Sequence, residues 1–335
     1  MGRTSCPPCN ELQRTGRYMA APNEATRRPR RPGGLIGQRA GWKRLSGCSL
    51  GAHLYEVSSG MAKACIFCGN DSSPLSAEHV FPDWMTGFYG DRVDGPLRGT
   101  IEFAYPSGES RSFRGIPFQQ KVKTVCKNCN TGWMSVLENN MQPYLSKMLV
   151  SQTTRLRSNT QRNLAFWCAK TALIMQYINP ENTTIPERHY SELYRSQSAL
   201  PSHFIVISSR TIPRHEKGLR MMQAISEPVI YAKAKADVGS EAQEQISQWI
   251  RDGHKIYKVT FTVGNFVAQV FSHDLPTTLA IGGNGPAIPI WPKIRNRVDW
   301  SLGCSIDGLG GIVPFHRMFA PPPAGTVGLD YFTKL

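Results

Sequence analysis

The sequence is short of acidic residues and has no long apolar run, and each absence excludes something. With 24 Asp or Glu against 39 Lys or Arg, the 335-residue chain has a formal net charge of +15 and a pI near 9.6. That sign suits a polyanionic partner, although charge alone does not select DNA. The longest apolar stretch, Leu164 to Ile178, is interrupted by Lys170 and Gln176 and falls short of the roughly twenty residues a bilayer requires. It reads as a buried helix, and no membrane partner is expected. No apolar segment follows the early charges, so no secretory signal is expected. Two glycine clusters, Gly282-Gly283-Asn284-Gly285 and Gly308-Leu309-Gly310-Gly311, lack the Lys-Ser/Thr of a phosphate loop and read as turns. The nine cysteines do not form a disulfide framework. Four fall in a metal pattern and Cys168 and Cys304 are isolated, which indicates a reducing compartment and an expected cytoplasmic location.

Nearly half of the charge excess lies at the front. Residues 1–60 hold ten Lys or Arg against Glu11, Glu24 and Glu56, a balance of +7, and the remainder carries +8. This stretch is rich in Arg, Pro and Gly and has no periodic apolar pattern, so it is expected to be a disordered basic leader. Met61-Ala62-Lys63-Ala64-Cys65 reads as a natural start. Cys6-Pro7-Pro8-Cys9 has no second pair nearby and is read as chance.

What is present is concentrated in residues 61–150. Two Cys-x-x-Cys pairs, Cys65/Cys68 and Cys126/Cys129, bracket the dipeptide Glu78-His79, and the second pair runs into Asn130. Four thiolates close a tetrahedral Zn²⁺ shell with no open position, so such a site builds structure and does not catalyse. A carboxylate and an amide oxygen, Glu78 and Asn130, are hard donors suited to Mg²⁺ or Mn²⁺. The imidazole of His79 can take a proton near neutral pH. Asn130 also fits a helix N-terminal cap, and Trp84 and Trp133 read as core packing against the zinc knuckle.

These residues, as Cys65-Ile66-Phe67-Cys68, Glu78-His79-Val80-Phe81-Pro82 and Val125-Cys126-Lys127-Asn128-Cys129-Asn130, resemble the HNH (ββα-metal, treble-clef) endonuclease superfamily in its zinc-stapled four-cysteine form. The resemblance covers roughly residues 61–145. It implies a zinc-stapled ββα module and a metal-dependent endonuclease that hydrolyses DNA phosphodiester bonds. In that scheme Glu78 and Asn130 bind a catalytic Mg²⁺ or Mn²⁺, and His79 is the general base. Two departures favour an alternative, a catalytically inactive zinc-stabilised nucleic-acid-binding or interaction module. No Asn occurs between Asn70 and Asn128 to serve as the family's middle Asn, and Trp133 stands where many members carry a third polar ligand.

The long spacer from His79 to Cys126 reads as a β insertion, Thr100 to Tyr105 and Ser112 to Phe118 around a Pro106-Ser107-Gly108-Glu109 turn. A helix is expected from Cys129 or Asn130 through Met141, with Pro143 as a break or a new first turn. Residues 151–335 read as an α+β domain of unknown role, so the fold expected for the whole chain is α+β. Its expected helices are Arg162 to Ile178, Pro186 to Ser196 and Glu241 to Arg251. Its expected strands are His203 to Ser208, Met221 to Ile225, Val229 to Ala232 and Lys255 to Val263, the last alternating apolar and polar and turning at Gly264-Asn265 into Asn265 to Phe271. His189, His203, His215, His254, His273 and His316 show no ligand spacing and read as ordinary histidines. Pro314 to Pro323 reads as an extended surface segment.

Overall fold

Strand propensity and register dominate the architecture. The structure, a computed structural model, describes residues 64–85, 98–103, 110–114, 120–178, 185–197, 199–211, 218–226, 240–276, 279–281, 288–302, 305–306, 315–316 and 332–334. The architecture is α+β. β1 (Leu75–His79) pairs with β4 (Lys121–Cys126) as an antiparallel ribbon in which Glu78 faces Val122 and His79 faces Lys121. Between them in the chain, β2 (Arg98–Phe103) and β3 (Ser110–Arg114) form an antiparallel pair. The expected insertion is therefore a pair of strands, and its turn lies outside the described residues.

That pair does not stand apart. β2 runs parallel to β7 (Gly218–Ser226), and with β6 (Phe204–Arg210), β8 (Ile256–Val263), β9 (Phe266–His273) and β11 (Ile288–Trp291) it completes a seven-stranded sheet in the order β11-β6-β9-β8-β7-β2-β3. Outside it, β5 (Arg155–Arg157) pairs with β12 (Arg297–Asp299) and β10 (Leu279–Ile281) with β13 (Phe332–Lys334). The β8–β9 turn falls at Gly264-Asn265 as expected, with Gly264 at φ 54°, a backbone conformation that glycine adopts without Cβ cost. The expected strand Val229 to Ala232 lies outside the described residues, as do both glycine clusters.

Alternation in β8 predicts one wet face, and the strand instead has all eight residues buried. It is an interior strand, covered on both faces. Its polar side chains find partners inside: Lys258 Nζ donates to the His316 carbonyl at 2.7 Å, and Gln269 Nε2 donates to Thr260 Oγ1 at 2.8 Å. Burial pushes the Lys258 ammonium down to about 7. Phe315 and His316 are themselves fully buried, so these two residues of the expected surface segment lie in the core, and the rest of that segment lies outside the described residues.

A single helical turn, Lys127–Cys129, leads through a π-helical turn, Asn130–Met134, into α1 (Ser135–Met148). The irregularity sits at Gly132 (φ −91°, ψ −115°), while Pro143 lies inside α1, and the helix continues past it. The reason is packing: Leu137, Met141, Leu145 and Met148 form one buried stripe across the proline. α2 (Ser158–Met175) continues as a 3-10 turn to Ile178 and is buried on nearly every side, followed by α3 (Glu187–Arg195) and α4 (Ser240–Arg251). No helix among the described residues is long and apolar enough to cross a membrane. Ala62–Leu335 forms one compact unit. Its core is continuous, running from Phe67 and Val125 at the cysteines through Leu137 and Trp167 to Phe261 and Phe266.

Candidate metal centre and adjoining polar site

The first Cys pair sits in a tight knuckle. Gly69, at φ +70°, returns its N–H to the Cys65 carbonyl at 2.9 Å, and Cys65 N donates to Asn70 O at 2.9 Å. The Asn70 side chain then accepts from Ser72 N at 2.8 Å and Ser73 N at 3.0 Å, which fixes the exit from the turn. Ile66 N donates to Thr124 O at 3.1 Å and ties the knuckle to β4. The second pair spans the end of β4 and the helical turn, where Cys129 N points at Cys126 Sγ at 3.5 Å.

The four sulfurs consequently lie within 4.8 Å of one another, with Cys68 Sγ and Cys126 Sγ 3.6 Å apart. A tetrahedral ion with Zn–S near 2.3 Å places its sulfurs about 3.8 Å apart, so the set fits a single metal ion such as zinc. Proton sharing shows the same crowding. A hydrogen bond from Cys129 holds the Cys65 thiol down at about 4, and the same bond pushes Cys129 up. Cys65, Cys126 and Cys129 are buried. Phe67 packs edge-on to Trp133 at 5.3 Å, and Trp133 meets Phe166 at 5.8 Å, so Trp133 is a packing residue of the knuckle.

Beside this cluster the structure brings Glu78 and Asn130 together, and His79 follows Glu78 on β1. Glu78 is 4% exposed, Asn130 hydrogen-bonds its carboxylate, and Asn130 Nδ2 also donates to Ser76 Oγ at 3.0 Å. Ser76 Oγ in turn donates to Val125 O at 3.0 Å, so the chain of donors fixes which end of the amide is nitrogen. Oδ1 of Asn130 is then its lone-pair side. Burial pushes the Glu78 carboxyl up to about 7, with the nearby Lys170 ammonium pulling it down, Glu138 pushing it up and the Asn130 bond lowering it. His79 lies on the ribbon with its side chain 24% exposed and Nε2 3.5 Å from Asp83 Oδ1. Burial, then the Lys121 charge, lowers its pKa, so the imidazole is neutral at pH 7. Lys121 and Lys123 are exposed on the neighbouring strand.

Sequence spacing did not single out Glu138 and Lys170, which adjoin the same carboxylate. The signal for Lys170 was present as an ammonium inside an otherwise apolar helix. Spacing also missed a second cluster. His189 on α3, His203 ahead of β6 and His273 at the end of β9 meet, with ring centroids 4.6 Å apart for His189–His203 and 6.4 Å for His203–His273. His189 Nε2 lies 2.8 Å from Asp274 Oδ1, Tyr257 donates to Asp274 Oδ2 at 2.9 Å, and Arg188 completes the carboxylate's partners. Sheet register creates this cluster, since His273 N donates to His203 O at 3.2 Å.

This cluster predicts an acid response. Burial holds His203 down at about 3 and His273 at about 4, with the charge of His189 adding to both. Burial pushes Asp274 up, but hydrogen bonds from His189, Arg188 and Tyr257 outweigh it and hold the carboxyl well below its usual range. Unfolded imidazoles bind protons near pH 6.5 that the folded ones refuse. Their contribution is therefore complete above that pH and falls on acidification toward pH 4, by about 1.4 kcal/mol per pH unit for each ring. Asp274 acts in the same direction at still lower pH. Tm should drop steadily from pH 6.5 to 4.5, and His273→Gln should flatten the slope. An equal slope in that variant would remove the cluster from the explanation. No family model matches this chain, and comparison with curated proteins and with solved structures gives no match.

Proposed function

We propose that the chain is a zinc-stapled HNH-type endonuclease that hydrolyses DNA phosphodiester bonds. The observation that carries this reading is the bond between Glu78 and Asn130, with His79 next to Glu78 in the chain, beside four clustered cysteines. On this reading the cysteines hold zinc and make a ββα module of the β1–β4 ribbon and the helix that follows it. Glu78 and the Asn130 amide oxygen are hard donors that fit Mg²⁺ or Mn²⁺. A divalent cation held by them would stabilise charge on the scissile phosphate and on the departing 3′ oxygen.

The chain's own residues do the rest. Neutral His79 accepts the proton of the attacking water at a ring nitrogen. Asp83, beside Nε2, supplies an orienting contact that the family draws from its middle Asn. Lys121, which pairs with His79 across the ribbon, and Lys123 supply exposed ammonium groups for backbone phosphates on the same strand.

The second reading is a zinc-stabilised module that binds nucleic acid without cutting it. The placement of Trp133 in the aromatic core, where a third polar ligand is common, favours it. Supercoiled plasmid separates the two. The nuclease reading expects nicked circles once Mg²⁺ or Mn²⁺ is added, and binding in the presence of chelator. DNA retained at low salt with no nicking under either metal would select the binding module and overturn the nuclease.

A further inference from the structure

The polar site does not end with the zinc module. Lys170, on α2, has a side chain that is 0% exposed, with Nζ 2.6 Å from Glu138 Oε1 and 4.0 Å from Glu78 Oε1. A fully buried ammonium is costly unless anions surround it, and here two carboxylates from β1 and α1 do so. Glu138 occupies the first turn of α1, where the helix end favours a negative charge, and its side chain is 19% exposed. Lys170 Nζ lies between the two carboxylates, so Glu138 and Glu78 share one polar pocket. The charge count is informative. Two carboxylates and one ammonium leave −1, a divalent ion would bring the set to +1, and one bound phosphodiester would neutralise it. Without Lys170 the same assembly with its ion would be neutral and would lack the net positive charge that draws the phosphate.

We propose that Glu138 is a third oxygen donor to the divalent cation, and that Lys170 is the positioning residue that holds Glu138 beside Glu78. The proposal rests on the HNH-type reading for the presence of that cation. It makes α2 part of the site and replaces the polar ligand that Trp133 does not provide. Lys170 keeps the Glu138 side chain turned inward, where its carboxylate can share an ion with Glu78 and Asn130.

The test is Mn²⁺ binding to the zinc-loaded full-length protein, followed by the electron paramagnetic resonance signal of free Mn²⁺ with no DNA present. Wild type should bind one Mn²⁺. Glu138→Gln, which keeps size and removes charge, should weaken binding about tenfold or more. Lys170→Met alone would strand two buried carboxylates, so the paired Lys170→Met/Glu138→Met variant is the second arm. It removes both ends of the ion pair and should keep its circular dichroism and zinc while losing Mn²⁺ affinity as Glu138→Gln does. Wild-type affinity in Glu138→Gln, or no Mn²⁺ bound by wild type, would overturn the proposal. Plasmid cleavage reports separately on the nuclease reading. Glu138-dependent Mn²⁺ binding without cleavage supports the proposal and removes the nuclease, whereas cleavage with Glu138-independent binding does the reverse.

Discussion

His79→Ala should slow DNA cleavage by at least about 100-fold, the lower end of what a positioned general base contributes. The residue suits that role because its pKa is lowered, first by burial and then by Lys121, which leaves a neutral ring at pH 7 with access to water. The sign follows: the base form is already present below the usual imidazole range. Wild-type cleavage should therefore rise from acid pH and level off by about neutrality, and this limb should vanish in the variant. Zinc content and DNA affinity should not change, because His79 is outside the cysteine shell and partly exposed. A variant that loses DNA binding in parallel with cleavage would show that the side chain holds the strand and does not take the proton.

Cys126→Ser should have the larger structural effect. Cys126 is fully buried, ends β4, caps the helical turn through its sulfur and belongs to the four-sulfur cluster. Structural zinc contributes folding free energy directly, with apparent values of about 10–16 kcal/mol in small zinc-dependent peptides. Loss of even a third of that would lower Tm by roughly 6–10 °C in a domain of this size. The effect should reach beyond the knuckle, since Phe67 and Trp133 pass the disturbance to Phe166 on α2. Metal analysis should fall from one zinc per chain to near zero, and prolonged chelation of wild type should give the same loss. Unchanged melting with no bound metal would mean that packing alone holds the cysteines together.

The sequence displayed local chemistry well and long-range register poorly. Cys-x-x-Cys spacing is local, as is the Gly264-Asn265 turn, and both appear where expected. The helix across 158–175 was legible from its apolar run, although Lys170 inside it was read as an interruption when it is a buried ion-pair partner of a residue 32 positions away. Nothing local could show that β2 would lie parallel to β7, or that His189, His203 and His273 would meet. Those contacts depend on which strands become neighbours. The same cause explains β8: alternation describes one strand, whereas burial of Lys258 and Thr260 depends on what covers its second face. The missing N–H makes Pro143 a local sign of a break or a new first turn, and the buried stripe of α1 overrides it.

The most direct test of the HNH-type assignment is the cleavage of supercoiled plasmid by wild type and His79→Ala, purified in parallel and assayed with and without Mn²⁺. Wild type should nick only with the metal, and the variant should retain its zinc and leave the plasmid intact. Equal nicking by both proteins would contradict the assignment and trace the activity to a contaminating nuclease.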